Sequence, residues 1–486
     1  MNSSIVKLYV LVLALFVTVV AFTSYWSIVD AEELRERQDN RRSLIEAQKI
    51  PRGKITTADG TEVAVSVPQG SGNQRIFTRE YPQGELFGHP VGYSFVEFGQ
   101  TEIERSENDV LIGRDNEFVS LLEQLEGQVD EGSDLTLTLD AEAQRIARDG
   151  IQSAISIPGT GGSLVALEPD TGAVRAMVSE PGFDPNQVPD DFKQLNRAEG
   201  SPLLNRPTQN PQTPGSTMKV VTATAALDSG EFETSTTLNG DSPIDISGVP
   251  LENAGGESFG TIDMADALTN SVNTYWAQVG EQLGPETMVE YMERFGFFRD
   301  PPLDFPPDEL APSGIYNSDR DLVRDGFDVG RVAIGQGGAE GQILATTLQM
   351  AIVSAAVANQ GKLMEPTFVQ EITDPDGRTT DELDPSEYSD VMSEETAAEV
   401  SEMMTSVAEE GTASSLSVPG ATLAGKTGTA EIDLDAGINQ AWFMGFAPAD
   451  DPQIVVAATI ERCQGCFGGE VAGPIATDVM ASLLGG

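Results

Sequence analysis

The sequence predicts an α+β fold, a mixed sheet backed by helices, preceded by a small accessory module and one membrane-spanning helix. Three observations carry this. An uncharged apolar run from Leu8 to Phe22 lies near the start. From Leu135 onward, alternating strand patterns open and close a long stretch of helical patterns. Inside that stretch three short polar motifs follow in order: Ser216-Thr-Met-Lys219, Ser271-Val-Asn273 and Lys426-Thr427-Gly428.

The apolar run continues through Tyr25, Trp26 and Ile28 to Val29. It suits a bilayer-spanning helix over 8–29 better than a signal-peptide core of about 7–15 residues. Tyr25 and Trp26 fall where an aromatic interface belt is expected. No convincing Ala-x-Ala cleavage site follows, so an uncleaved anchor is expected, with a cleaved signal peptide as the alternative. Lys7 precedes the span while Asp30, Glu32 and Glu33 follow it. Residues 1–7 are therefore expected to form a short cytoplasmic tail, with the bulk of the chain outside the cell membrane.

Ala31 to Lys49 reads as a charged, helix-permissive stalk. Pro51 to about Asp134 mixes Gly and Pro turns with a strand-like run, Glu62 to Val67, and an aromatic cluster at Tyr93, Phe95 and Phe98. Residues 30–134 are taken together as stalk and accessory module, and 135–486 as the main domain. Leu135 to Asp140 alternates as a strand, and Ile146 to Ile151 lies in a helical stretch. Ser163–Leu167 and Ala173–Val178 read as a hairpin closed by Pro169-Asp-Thr-Gly172. Met218 to Leu227 is a buried helix stopped by Ser229-Gly230. Helical segments are expected at Thr261–Leu268, Thr274–Leu283 and Ala345–Asn359. Strands at Ala441–Phe446 and Ile454–Ile460 and a helix over Ala472–Leu484 close the chain.

At 486 residues the chain has room for two or three domains. It carries 77 acidic against 28 basic residues, a formal charge of -49. That excludes a nucleic-acid backbone as partner, which needs clustered Lys and Arg. Acidic runs such as Thr373 to Glu395 read as solvated faces. Cys463 and Cys466 are the two cysteines, and His89 is the sole histidine. In a wall-side location the pair suits a small local disulfide. A zinc half-site would need ligands that His89 cannot supply. A thioredoxin-like role would need a helix start after a strand, whereas the pair is read in a Gly-rich loop.

Ser216 follows Pro214-Gly215 at the start of a buried helix, where backbone amides favour developing negative charge. Lys219 lies one turn along the same face. A lysine held in an apolar helix beside another cation loses proton affinity, and its neutral amine can take the proton from Ser216. Alone the tetrad is cheap, since Ser4-x-x-Lys7 repeats it in the anchor. Ser271 and Asn273 sit at a corner between helices, presenting a hydroxyl for proton relay and an amide for substrate, or merely a capping pair. Lys426, Thr427 and Thr429 offer a cation and two hydroxyls to a carboxylate, with Gly428 letting substrate backbone approach the strand; an ordinary edge strand is the bland reading. Joint occurrence in the required order is what gives the three motifs weight.

With these motifs the chain resembles a class B penicillin-binding protein of the actinobacterial penicillin-binding protein A type. The resemblance extends to Ser201-Pro-Leu-Leu-Asn-Arg206, Gly335-Gln-Gly337 with Thr347-Leu-Gln-Met350, Ala441-Trp-Phe-Met-Gly-Phe-Ala-Pro448, and Arg52-Gly53 after the stalk. It implies a penicillin-binding, serine β-lactamase-like transpeptidase domain with an antiparallel-rich sheet, and a peptidoglycan D,D-transpeptidase needing no metal or organic cofactor. It implies Ser216 as nucleophile toward the penultimate D-alanine of a stem peptide, Lys219 as base, and Ser271 with Lys426 as proton relay. Asn273 would hold the peptide amide, Thr427 and Thr429 the terminal carboxylate, and the N–H groups of Ser216 and Thr429 the oxyanion. β-Lactams would trap Ser216, and a multispan glycan polymerase is the implied protein partner. Two other readings stand beside this one: a D,D-carboxypeptidase or β-lactamase of the same fold, and a non-catalytic β-lactam-binding scaffold.

Overall fold

The computed structural model of the chain describes residues 3–28, 44–45, 47–72, 75–114, 131–338, 341–433 and 436–485. Most of the expected stalk, with Val29, Asp30, Glu32 and Glu33, lies outside the described residues. The apolar run forms one helix, Ser3–Ile28. Within it Ile5–Tyr25 is long and apolar enough to cross a membrane, with none of its described side chains buried.

Five strands build the central sheet: β1 (Gly162–Leu167), β2 (Val174–Glu180), β3 (Ala424–Asp433), β4 (Ile438–Ala447) and β5 (Ile454–Gln464). All pairs are antiparallel, in the order β3–β4–β5–β1–β2, so the hairpin formed by the first two strands is joined by the last three. β1, β4 and β5 are buried over nearly their whole length, which is why they read as continuous apolar runs. Helices cover the sheet: α1 (Ala141–Ala154), α2 (Lys219–Asp228), α3 (Met264–Thr269), α4 (Asn273–Arg294), α5 (Thr347–Ala358), α6 (Glu394–Glu409) and α7 (Gly468–Leu483). Every residue of α5 is buried, and α2 is buried from Lys219 to Leu227. Apolar and small residues fall on every side of these two helices because the core surrounds them.

A second sheet crosses the expected module boundary. Ile55–Thr56 pairs in parallel with Asp134–Leu137, which in turn pairs with Val369–Thr373. On the other side Ile55–Thr56 pairs with Glu62–Gln69, and that strand with Ile76–Glu80. Beneath it Glu104 is fully buried between two cations, accepting from Arg52 Nε at 2.7 Å and from Arg79 Nε. Gly53 donates its N–H to the Leu111 carbonyl at 2.8 Å. This gives Arg52-Gly53 a structural reason.

Three sequence expectations change. Thr261–Ile262 is a short strand paired with Leu238–Asn239, and the helix starts only at Met264, after Asp263 caps it by accepting from the Asp266 N–H at 2.9 Å. α6 was not foreseen, because the acidic character around Glu394 and Glu395 hid an amphipathic helix capped by Ser393. Cys463 and Cys466 do not share a Gly-rich loop: Cys463 is on β5, and α7 opens at Gly468. Gly468 and Gly469 lie in the helix because neighbouring backbone leaves no room for a side chain, a Cβ on Gly468 falling 2.0 Å from the Trp442 carbonyl oxygen.

Candidate active site

Ser216 reaches the site on a 3-10 turn, Gly215–Met218, that runs directly into α2. The turn leans on the Gly335 segment. The Gly215 N–H donates to the Gly335 carbonyl at 3.0 Å, and a Cβ on Gly335 would sit 1.8 Å from the Gly215 oxygen. Gly335-Gln-Gly337 is thereby part of the support of Ser216, a role visible in the sequence only as a pair of small residues.

One turn along, Lys219 is wholly buried. Its Nζ lies 3.0 Å from Ser216 Oγ, 3.2 Å from Ser271 Oγ, 2.7 Å from the Ser271 carbonyl and 2.7 Å from Asn273 Oδ1. Lys426, also wholly buried, reaches the same serine from β3: its Nζ donates to Ser271 Oγ at 2.9 Å and to the Thr427 carbonyl at 3.0 Å. The side chains of Ser216, Lys219, Ser271 and Lys426 thus form one continuous hydrogen-bonded chain. Burial, and after it the charge of Lys426, holds the Lys219 amine well below its ordinary value. Burial pushes Lys426 down to about 7.

Ser271 is placed by the way α3 ends. Its N–H donates to the Leu268 carbonyl at 3.1 Å, and the Val272 N–H donates to the Ala267 carbonyl at 2.9 Å. This pair of bonds is a Schellman closure, whose left-handed position is normally glycine. Here Ser271 occupies it at φ +57°. The chain accepts local backbone strain to put a hydroxyl between two lysines.

Asn273 opens α4, its Nδ2 donating to the Glu252 carbonyl at 3.1 Å while Oδ1 accepts from Lys219. Its amide is engaged in orienting Lys219. Thr427 Oγ1 meets Thr412 Oγ1 at 2.6 Å, and the Gly468 N–H donates to Thr429 Oγ1 at 3.4 Å. The missing side chain of Gly428 makes room for the protein itself. A Cβ there would lie 2.8 Å from the Pro214 carbonyl oxygen and 3.0 Å from Thr217 Cγ2. β3 passes this close to the nucleophile's turn while Lys426, two residues earlier, reaches Ser271. Thr412 and Glu252 were not singled out from sequence, since an isolated threonine and a backbone carbonyl carry no pattern.

A half-buried serine beside a wholly buried lysine, completed by a second serine at a helix end and a second lysine from a five-stranded antiparallel sheet, marks a serine acyltransferase. Residues 162–481 match the penicillin-binding protein transpeptidase domain, and 52–135 the penicillin-binding protein A dimerisation domain. The chain belongs to the penicillin-binding protein transpeptidase family. It is 32% identical to the peptidoglycan D,D-transpeptidase PbpA of Mycolicibacterium smegmatis, over 100% of this chain and 99% of that one. With the PbpA of Mycobacterium tuberculosis the identity is 31%, over the full length of both. Among solved structures, penicillin-binding protein A from M. tuberculosis as its imipenem acyl-enzyme aligns with a TM-score of 0.78 and 29% identity, covering 90% of this chain and 99% of that one. The penicillin G acyl-enzyme of the same protein aligns with a TM-score of 0.77 at 29% identity, over 90% of this chain and 100% of that one.

Proposed function

We propose that this chain is a membrane-anchored peptidoglycan D,D-transpeptidase that crosslinks stem peptides through an acyl-enzyme on Ser216. The observation that carries the reading is the unbroken chain of contacts from Ser216 through Lys219 and Ser271 to Lys426. Lys219, whose proton affinity burial and the charge of Lys426 lower, takes the Ser216 proton as Oγ attacks the penultimate D-alanine carbonyl. The oxyanion that forms faces the N–H groups of Ser216 and Thr429, a donor pair of the kind worth about 2.7–4 kcal/mol per donor. Collapse breaks the peptide C–N bond. The leaving amine takes its proton from Ser271, which is resupplied by Lys426. Terminal D-alanine departs and an ester remains on Ser216. An amine of a neighbouring stem then attacks that ester and passes a proton through Ser271 to Lys426, and Lys219 returns its proton to Ser216 Oγ as the ester C–O bond breaks.

Thr427 and Thr429 receive the terminal carboxylate, with Lys426 adding positive charge nearby. Asn273 holds the peptide amide by exchanging its Nδ2 bond to the Glu252 carbonyl for one to the bound peptide, while Oδ1 goes on accepting from Lys219. β-Lactams, which mimic the D-Ala-D-Ala end, acylate Ser216. The Ile5–Tyr25 helix anchors the chain as a single span with the catalytic part outside the cell membrane. Residues 30–134 serve as stalk and accessory module to a transpeptidase domain over 135–486, and the partner is a multispan glycan polymerase.

The test is a time course of fluorescent-penicillin acylation on the detergent-solubilised full chain and on Ser216→Ala. Label that persists for many minutes and vanishes in the variant supports the reading. Rapid loss of label with release of hydrolysed drug indicates a β-lactamase instead. No labelling of folded wild-type protein overturns the catalytic assignment.

A further inference from the structure

The Cys463–Cys466 disulfide takes no part in the chemistry above, yet it closes the turn between β5 and α7, and that turn ends on the motif strand. Cys463 is buried on β5 opposite Asn439 of β4. Asn439 Nδ2 donates to the Cys466 carbonyl at 3.0 Å, and the Gly465 N–H donates to the Gly437 carbonyl at 2.9 Å. Phe467 follows with its side chain 53% exposed, so it adds little packing to hold the turn.

The next two residues touch the proposed carboxylate site. Besides the Gly468 N–H at 3.4 Å from Thr429 Oγ1, a Cβ on Gly468 would come within 2.5 Å of the Gly428 carbonyl oxygen. A Cβ on Gly469 would lie 2.8 Å from the Thr412 carbonyl oxygen and 3.4 Å from Thr427 Cγ2. The start of α7 is therefore packed on the back of Gly428 and on both threonines, with a covalent clip just ahead of it. A ring this short constrains the unfolded chain less than a long one does. Its effect falls on local geometry.

We propose that the Cys463–Cys466 disulfide is a positioning group for the transpeptidase site. By fixing the entry of α7, it holds Gly468 and Gly469 against β3 and sets the Thr427 and Thr429 hydroxyls for a substrate carboxylate. The inference rests on the transpeptidase reading and adds a group outside the three motifs.

The experiment compares the full chain, oxidised and reduced, in acylation by penicillin G and by its methyl ester. A phosphine reduces the disulfide to two thiols and is itself oxidised to the phosphine oxide, water supplying the oxygen and both protons. Reduction is expected to lower the second-order acylation constant for the free carboxylate about tenfold, part of the ~10²-fold that a misplacement of about 1 Å costs. The ester should lose less, and reoxidation should restore the rate. The Cys463→Ala, Cys466→Ala double variant should match the reduced chain and ignore the phosphine. Equal rates before and after reduction, or equal losses for acid and ester, overturn the inference alone. So does a reduced chain that unfolds, because the bond would then serve global stability. An oxidised chain that penicillin does not acylate overturns the transpeptidase reading together with this one.

Discussion

Ser271 offers a test in which two substitutions that remove the same hydroxyl should part in stability. At an ordinary helical position alanine is more stable than glycine by roughly 0.5–1 kcal/mol. At φ +57° the order should reverse. A Cβ in the left-handed region costs roughly 1–2 kcal/mol, and the lower entropy of the unfolded alanine chain returns only about 0.4–1 kcal/mol of that. Ser271→Gly should therefore be more stable than Ser271→Ala by about 0.5–1 kcal/mol. Both lose the contacts at 3.2 Å to Lys219 and 2.9 Å to Lys426, and both keep the Ser271 carbonyl that accepts from Lys219 at 2.7 Å. The comparison thus isolates the backbone. Urea unfolding of the full chain, followed by fluorescence of the wholly buried Trp276 and Trp442, measures the difference. Penicillin acylation should fall by about 10²–10⁴-fold in both variants, the usual worth of a positioned proton relay. An alanine variant as stable as the glycine variant, or more so, would refute the argument from strain.

Lys426→Met should move the acid limb of the acylation profile to higher pH. Acylation needs the neutral Lys219 amine, so the rate falls as pH drops through its titration. Removing the neighbouring charge raises the proton affinity of Lys219, and residual acylation measured against pH reads the shift. Glu104→Ala should cost about 3–5 kcal/mol in urea unfolding, since it leaves two buried guanidiniums without their carboxylate. Burial alone would raise the Glu104 carboxyl, but Arg79 and Arg52 outweigh it and hold it below its ordinary value. Its contribution is thus present above the ordinary Glu range and lost as pH falls through the lowered value, and wild-type acid unfolding should show that loss while the variant does not. Gly335→Ala should abolish fluorescent-penicillin labelling, because its Cβ would collide with the Gly215 carbonyl at 1.8 Å; normal labelling would mean the loop moves freely.

Much of this was legible in the sequence because the relevant signals are local. The apolar strands β1, β4 and β5 and the buried helices α2 and α5 follow directly from residue pattern. The motif residues follow from spacing and order, and Lys219 and Lys426 do share Ser271. Other parts depend on contacts between distant segments and left no pattern. Thr412 meets Thr427 across 15 positions, Asn273 is held by a carbonyl 21 positions away, and the pairing of Leu135 with both Ile55 and Ile372 joins three separate regions. Glycines carry the least local signal of all. In the sequence Gly428 reads as substrate access and Gly468 only as part of a Gly-rich loop, whereas in the fold a side chain on either would meet neighbouring backbone.

The sheet that runs from Ile55–Thr56 through Asp134–Leu137 to Val369–Thr373 also has a mechanical meaning. On the proposed reading, an enzyme anchored in a bilayer at one end and joined to the wall through its acyl-enzyme at the other would bear any tension between them. A pull on the N-terminal side would first meet Gln48, whose carbonyl accepts from the Phe77 N–H at 2.8 Å, and Arg52, held by Glu104 at 2.7 Å; where it runs along Ile55–Thr56, the ladder to the neighbouring strands lies across it. Its bonds are loaded in shear and share the strain, instead of opening one after another like a zip. The strand order that joins the two halves of the chain is then also its load path.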